Sequence, residues 1–245
     1  MIKTLDHQKK FFNKIAITYH KYSRNNLGSL IRFHKITRNY ISGNLLDIGS
    51  GGIIGYEIEK AKSVTLADIA SETLKDPKYI KNGKLTPYTN KKLKSVVANV
   101  MKMPFRETTF DTVVMVTTAH HLSVANKYQT KKNIKKSFQE INRVLKKKGI
   151  FIIHECFLNP VLKLFQEIFF SSVFSTLKIL NKPLPYFMSE NQLALYLKNA
   201  GFSIIEVKEV KSGKNVFIPL LPMVSPPGWL WDIIQPSKTY ICQKN

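Results

Sequence analysis

A chain of 245 residues with 44% apolar side chains can bury one large core, which excludes a disordered chain or a disulfide-framed mini-domain. Its net charge of +22, from 38 Lys and Arg against 16 Asp and Glu, attracts anions such as nucleic acid, acidic lipid headgroups or acidic small molecules, although a Lys-rich surface also serves solubility alone. Cys156 and Cys242 lie in apolar strand-like runs with neither disulfide nor zinc spacing. No run reaches the ~20 apolar residues of a membrane span, and Met1 to Tyr22 lacks a signal-peptide core, so a cytoplasmic protein is expected, peripheral to a membrane at most.

Residues 1 to 42 read as a mostly helical lead-in. Short apolar runs then alternate with longer amphipathic segments, the rhythm of βαβ units and a parallel sheet. Asn44 to Ile48 is the first strand, Ile54 to Ala61 the helix after it, and Val64 to Asp68 the second strand. Ser95 to Ala98 and the Val-rich Phe110 to Val116 are the third and fourth strands. Lys127 to Leu145 repeats Ile134, Phe138, Ile141 and Leu145 at helical spacing, with Gly149 as its C-cap and Lys146 to Lys148 at the negative end of its dipole. Ile150 to Ile153 is the fifth strand. Val161 to Leu180 is a helix with a broad apolar face, and Ser189 caps another running to Ala200, with Gly201 just beyond. Phe202 to Val210 and Lys238 to Cys242 are the last strands, flanking an apolar, Pro-rich loop from Val216 to Pro236.

The densest signal is Leu45-Leu46-Asp47-Ile48-Gly49-Ser50-Gly51-Gly52, an apolar strand running into a glycine cluster. Glycines there allow a tight turn and let a ligand approach the backbone, and amides at a following helix start can bind a carboxylate or phosphate. Asp68, about twenty residues on at the end of the second strand, can accept hydrogen bonds from both hydroxyls of a ribose. A dinucleotide site fits less well. Its third glycine belongs at Ile54 but arrives at Gly55, and Asp47 would oppose a pyrophosphate, whereas it suits a ligand with an ammonium and a sulfonium.

Taken in order, these segments resemble the class I S-adenosylmethionine-dependent methyltransferases of the small-molecule group, the ubiquinone/menaquinone methyltransferase type. The resemblance covers about residues 10 to 156 and, more loosely, Ser189 to the end. Phe11 to Ala16 with Tyr19 resembles the family's N-terminal cap, Asn99 to Phe105 its adenine segment, and Phe110-Asp111 and His120-His121-Leu122 the fourth strand and its exit. Glu140, Arg143 to Lys146 and Gly149 resemble its helix-to-strand turn. The family implies an α/β, Rossmann-like fold: a seven-stranded, mostly parallel sheet ending in an antiparallel hairpin, helices on both faces, a helical cap over residues 1 to 42, and a lid inserted at about 157 to 188 in the domain 43 to 245.

The resemblance also implies roles. Asp47 would take the methionine ammonium, and Gly49, Ser50 and Gly51 would carry the cofactor on the backbone. Asp68 would hold the ribose, Ile69 would pack on the adenine, and Val100, Thr117 and Tyr19 would complete the pocket. Asn99 stands where the family commonly has Asp; its oxygen can still accept from the adenine amine, without the charge. His120 and His121 lie where acceptors meet the methyl, with His121 the candidate base or substrate hydrogen bond. His154 and Glu155 point to the same site, and Phe165, Phe169 and Trp229 are candidates for lining it. No metal is implied.

The expected acceptor is a small, apolar molecule, met at an anionic membrane surface if the charge has a lipid partner. Thr117-Thr118-Ala119-His120 lacks the Asn/Asp-Pro-Pro-aromatic turn used on base amines, so an RNA methyltransferase is the weaker alternative, with a non-catalytic binding protein and a dehydrogenase behind it.

Overall fold

A computed structural model describes residues 5–23, 27–81, 84–88, 92–180, 182, 185–212 and 227–245, giving the backbone alone for 17–23, 27 and 81. Helices α1 (Asp6–Ser23) and α2 (Leu27–Thr37) lead in. The main sheet comprises β1 (Gly43–Ile48), β3 (Ala61–Asp68), β6 (Leu93–Val97), β7 (Phe110–Val116), β8 (Leu145–Cys156), β9 (Phe202–Glu209) and β10 (Ser237–Lys244), in spatial order β6-β3-β1-β7-β8-β10-β9. Six strands point the same way, and β10 inserts antiparallel between β8 and β9, as the resemblance implies. The order reverses at β1, so the crevice for a ligand lies beyond the carboxyl ends of β1 and β7.

Strand alternation sorts side chains into two cores. Leu46, Ile48, Val113, Met115, Phe151 and Ile153 face one side, against α3 (Lys127–Val144), α4 (Pro160–Ile179) and α5 (Glu190–Asn199) through residues such as Phe138, Ile141, Phe170 and Leu197. Leu45, Leu66, Val114, Ile152 and Ile241 face the other, against Phe33 of α2 with Ile54 and Tyr56. Side-chain caps start three of these helices where turn chemistry predicts: Asn126 accepts from the Gln129 amide, Asn159 from Leu162 with Pro160 in the first turn, and Ser189 with Gln192 closes a capping box.

Several expectations need correction. Ile54 to Ala61 is not a helix. Ile53–Ile54 forms a short strand, β2, in a three-stranded sheet with β4 (Lys78–Lys81) and β5 (Lys84–Pro87), none of which patterning predicts. β-branched Ile53 and Ile54 and the following Gly55 disfavour a helix, and α2 packs against this segment: a Cβ on Gly55 would stand 2.8 Å from Leu30 Cδ2. Gly149 is not a helix C-cap either. α3 ends at Val144, Leu145 is already extended, and β8 runs on from there. Gly149 is small because a Cβ would meet Leu145 Cδ2 and Lys146 O at 2.9 Å. The Pro-rich loop contains a helix, α6 (Gly228–Ile234), while its residues 213–226 lie outside the described residues.

Phe138 is fully buried and packs on Phe151 at 6.0 Å between ring centroids. Phe138→Ala is expected to cost about 3–5 kcal/mol, seen as a lower urea midpoint at unchanged slope.

Candidate active site

Asp47, the fifth residue of β1, follows the parity of Leu45 and turns to the α2 side of the sheet. It is 1% exposed. Its Oδ2 accepts the Tyr56 hydroxyl at 2.7 Å, while its buried Oδ1 has no partner. Burial pushes its pKa up to about 7, the Tyr56 bond opposes the rise and the nearby Asp68 adds to it. Tyr56 in turn is held well above the usual phenol range by its own burial and by Asp47. A helix reading of residues 54 to 61 hid Tyr56, because only the extended path through β2 returns its hydroxyl to Asp47.

Beyond Asp47 the chain turns through Gly49, Gly51 and Gly52, all at positive φ (67°, 55° and 74°). No helix follows, so no helix N-terminus is offered there. The turn is clamped from the next strand instead. Thr118 Oγ1 shares its proton between Val116 O at 2.8 Å and Gly49 O at 3.2 Å, and a Cβ on Gly49 would lie 2.2 Å from Thr118 Cγ2. Asp68, buried enough that its pKa rises, accepts the Gly51 amide at 3.0 Å and the Ala70 amide at 2.8 Å, tying the glycine turn to the end of β3.

A cavity of about 190 Å³ opens here, lined by Asp47, Gly49, Ser50, Thr117 and His154 together with Phe33 of α2, Cys156 and Trp231. Of the proposed cofactor residues it therefore collects Asp47, Gly49, Ser50 and Thr117, the last at φ 46° with its amide donating to His154 O. Asp68 meets the site through Gly51. Ile69 packs at the edge of the core, Val100 is buried, and Asn99 Oδ1 accepts the Met101 amide at 2.9 Å. The side chain of Tyr19 lies outside the described residues. α1 bridges the two loops: Asn13 Oδ1 accepts the Glu72 amide after β3, and Gln8 donates to Ser123 after β7.

On the opposite face of β8 a second group assembles. Glu155, 1% exposed, accepts the Thr118 and Ala119 amides on Oε1 at 3.0 and 2.7 Å. Its Oε2 lies 2.6 Å from His120 Nδ1, and His120 Nε2 lies 3.1 Å from His121 Nε2. Burial, and then the neighbouring His120, hold the His121 pKa well below the usual imidazole range, so this ring is neutral. Phe12 of α1 meets it edge-on at 4.9 Å, and Phe187 covers His120 at the same distance. His121 Nδ1 is buried without a partner. His154, on the cavity side, contacts Thr239 Oγ1 at 3.0 Å, and burial lowers its pKa to about 4.

Three expected substrate residues are placed elsewhere. Phe165 and Phe169 stack on each other at 4.7 Å on the outer face of α4, and Trp229 is 68% exposed on α6. The inward turns of these helices present Phe170, Phe174 and Trp231 instead, a difference of helical phase that the broad apolar runs 161–180 and 216–236 do not reveal.

Residues 46–153 match the methyltransferase domain family. The chain is 27% identical over 191 residues to an uncharacterized protein of Methanocaldococcus jannaschii, spanning 78% of this chain and 66%, just under two thirds, of that protein. It is 25% identical to the ubiquinone/menaquinone biosynthesis C-methyltransferase of Rickettsia typhi, covering 84% of this chain and 96% of the relative. The solved SAM-dependent methyltransferase of Methanosarcina mazei shares the fold with a TM-score of 0.57 at 22% identity, over 84% of this chain and 95% of the other.

Gly49→Ala is expected to lower stability by more than about 1 kcal/mol, because it adds left-handed strain and displaces Thr118. A thermal melt equal to wild type would contradict the clamp.

Proposed function

We propose that this chain, a methyltransferase by its matched domain over residues 46–153 and its S-adenosylmethionine-dependent relatives, acts on a small apolar molecule whose reacting atom arrives protonated. The observation that carries this is the unpartnered Nδ1 of His121 at the end of the Glu155–His120–His121 chain.

The cofactor fits the residues present. A buried carboxylate oxygen without a partner, Asp47 Oδ1, suits the ammonium of an amino-acid tail, and the glycine turn beside it leaves the backbone open. Asp68 keeps lone pairs beyond its two amide bonds for a ribose. Ser50 and Thr117 would line the cofactor's path, with Ile69, Asn99 and Val100 toward the adenine. S-adenosylmethionine supplies the electrophilic methyl and a neutral leaving group, so the protein's own task is to align the nucleophile and accept its proton.

The donor pattern dictates how that proton travels. Glu155 Oε2 takes the Nδ1–H of His120, so a neutral His120 presents a bare Nε2. His121 then donates Nε2–H to it and keeps a bare Nδ1. A proton arriving at that Nδ1 pushes the Nε2 proton onto His120, whose new positive charge lies against Glu155. His121 thus ends neutral, and the charge rests where a carboxylate compensates it. The apolar rings of Phe12 and Phe187 flank this chain and suit an apolar acceptor.

His121→Ala is expected to lower methyl transfer by about 10²–10⁴-fold with cofactor binding kept. Mass spectrometry of a cell extract given deuteromethyl-labelled cofactor measures it; label transfer at the wild-type rate would remove His121 from the reaction. Cofactor binding should depend on pH through Asp47. Below about pH 7 the free carboxyl is protonated and must lose its proton to meet an ammonium, so affinity rises with pH through 7. Calorimetry with S-adenosylhomocysteine should find affinity about tenfold weaker at pH 6 than at pH 8. Tyr56→Phe removes the bond that opposes the rise, so its midpoint should lie higher than wild type.

A further inference from the structure

Two helices expose apolar side chains to solvent: α4, and α6, which lines the cavity through Trp231. Along α4, Val161, Leu164, Phe165 and Ile168 recur at three and four residues and form one stripe, 53–77% exposed, with Phe169 beside it. The one carboxylate of α4, Glu167, is drawn aside by Lys127, Lys131, Lys163 and the Tyr186 hydroxyl. The stripe therefore carries no negative charge. On α6, Trp229 and Ile233 are 68% and 62% exposed.

The two helices are joined at their bases. The Asn159 amide donates to Ile234 O at 3.2 Å and the Phe157 amide to Pro236 O at 2.8 Å. The same α6 sends Trp231 into the cavity wall. Exposed apolar stripes on two joined helices mark a docking site, and charge decides what docks. A second copy would bring +22 against +22, whereas an anionic bilayer brings the opposite sign. Exposed lysines stand at the far end of α4, at Lys178, and on α1, at Lys9, Lys10 and Lys14; the His7 ring of α1 meets Lys182 O just past α4. Among the described residues no helix is long and apolar enough to cross a membrane, so such a surface lies on the bilayer.

We propose that the α4–α6 face docks on an anionic phospholipid bilayer and sets the cavity mouth at the lipid boundary. Trp229 and the α4 stripe enter the headgroup region, and the lysines of α1 and α4 meet lipid phosphates. Supply of the acceptor from the lipid phase rests on the apolar-acceptor reading above; the docking itself does not.

The test uses the whole chain with vesicles of phosphatidylcholine alone and of phosphatidylcholine mixed with phosphatidylglycerol. Trp229 and Trp231 are the only tryptophans, so their emission reports the face directly. Mixed vesicles are expected to shift it to the blue and to sediment the protein, and neutral vesicles to do neither. The double variant Leu164→Ser/Ile168→Ser should weaken sedimentation by at least roughly tenfold, with S-adenosylhomocysteine binding and the thermal melt as in wild type. No association with mixed vesicles, or equal sedimentation of the variant, would overturn the proposal. So would a lipid-free dimer that the same variant dissolves, which would assign the face to a second copy. Failure of the wild-type chain to dock while it still transfers methyl would refute this inference and leave the proposed reaction standing.

Discussion

The molecule is organised around one buried carboxylate. Asp47 sits on the central strand β1, flanked by β3 and β7, at the reversal of strand order where an open parallel sheet leaves a crevice. One oxygen is held by Tyr56 and the other has no partner. An uncompensated buried charge is costly, and this carboxyl responds by holding its proton up to about pH 7. A cation at Oδ1 would relieve that cost, which is why Asp47 is proposed to take an ammonium.

The surrounding structure keeps Asp47 in that condition. The small sheet and α2 replace a helix after the glycine turn, and by doing so they deliver Tyr56 and Phe33 to its side of the main sheet. The clamp from Thr118 to Gly49 holds the ends of β1 and β7 together, and just beyond it His120 and His121 join the hydrogen-bonded chain that ends on Glu155. Strand alternation then divides the labour at the end of β8. His154 faces the cavity, and Glu155 faces His120. Two adjacent residues thus serve opposite faces of one sheet.

Much of this was legible in the residues. Apolar runs at Asn44–Ile48, Val64–Asp68 and Phe110–Val116 are buried parallel strands, told from buried helix segments by their short length and flanking turn residues. Asp47, the glycines and the paired histidines follow from their positions at strand ends. The missing helix was illegible because Ile54, Tyr56 and Ile58 can face a core from a helix or from an extended path, and only the competition with α2 at Gly55 decides. The outward facing of Phe165 and Phe169 is illegible for a related reason. A helix apolar on most of its circumference does not declare which stripe is buried, and here Phe170 and Phe174 take the core. Asp111 illustrates the converse. It matches a family position, yet it accepts the Asn44 amide and pairs with Lys146, an architectural task at the strand's start.

The central claim is that Asp47 waits protonated near neutrality for a cationic tail. Carbon-13 NMR of selectively labelled aspartate tests it most directly, following the Asp47 carboxyl carbon through pH with and without S-adenosylhomocysteine. The account predicts a midpoint near 7 in the free protein and an ionised carboxylate throughout that range in the complex. A midpoint that the ligand does not move would contradict it.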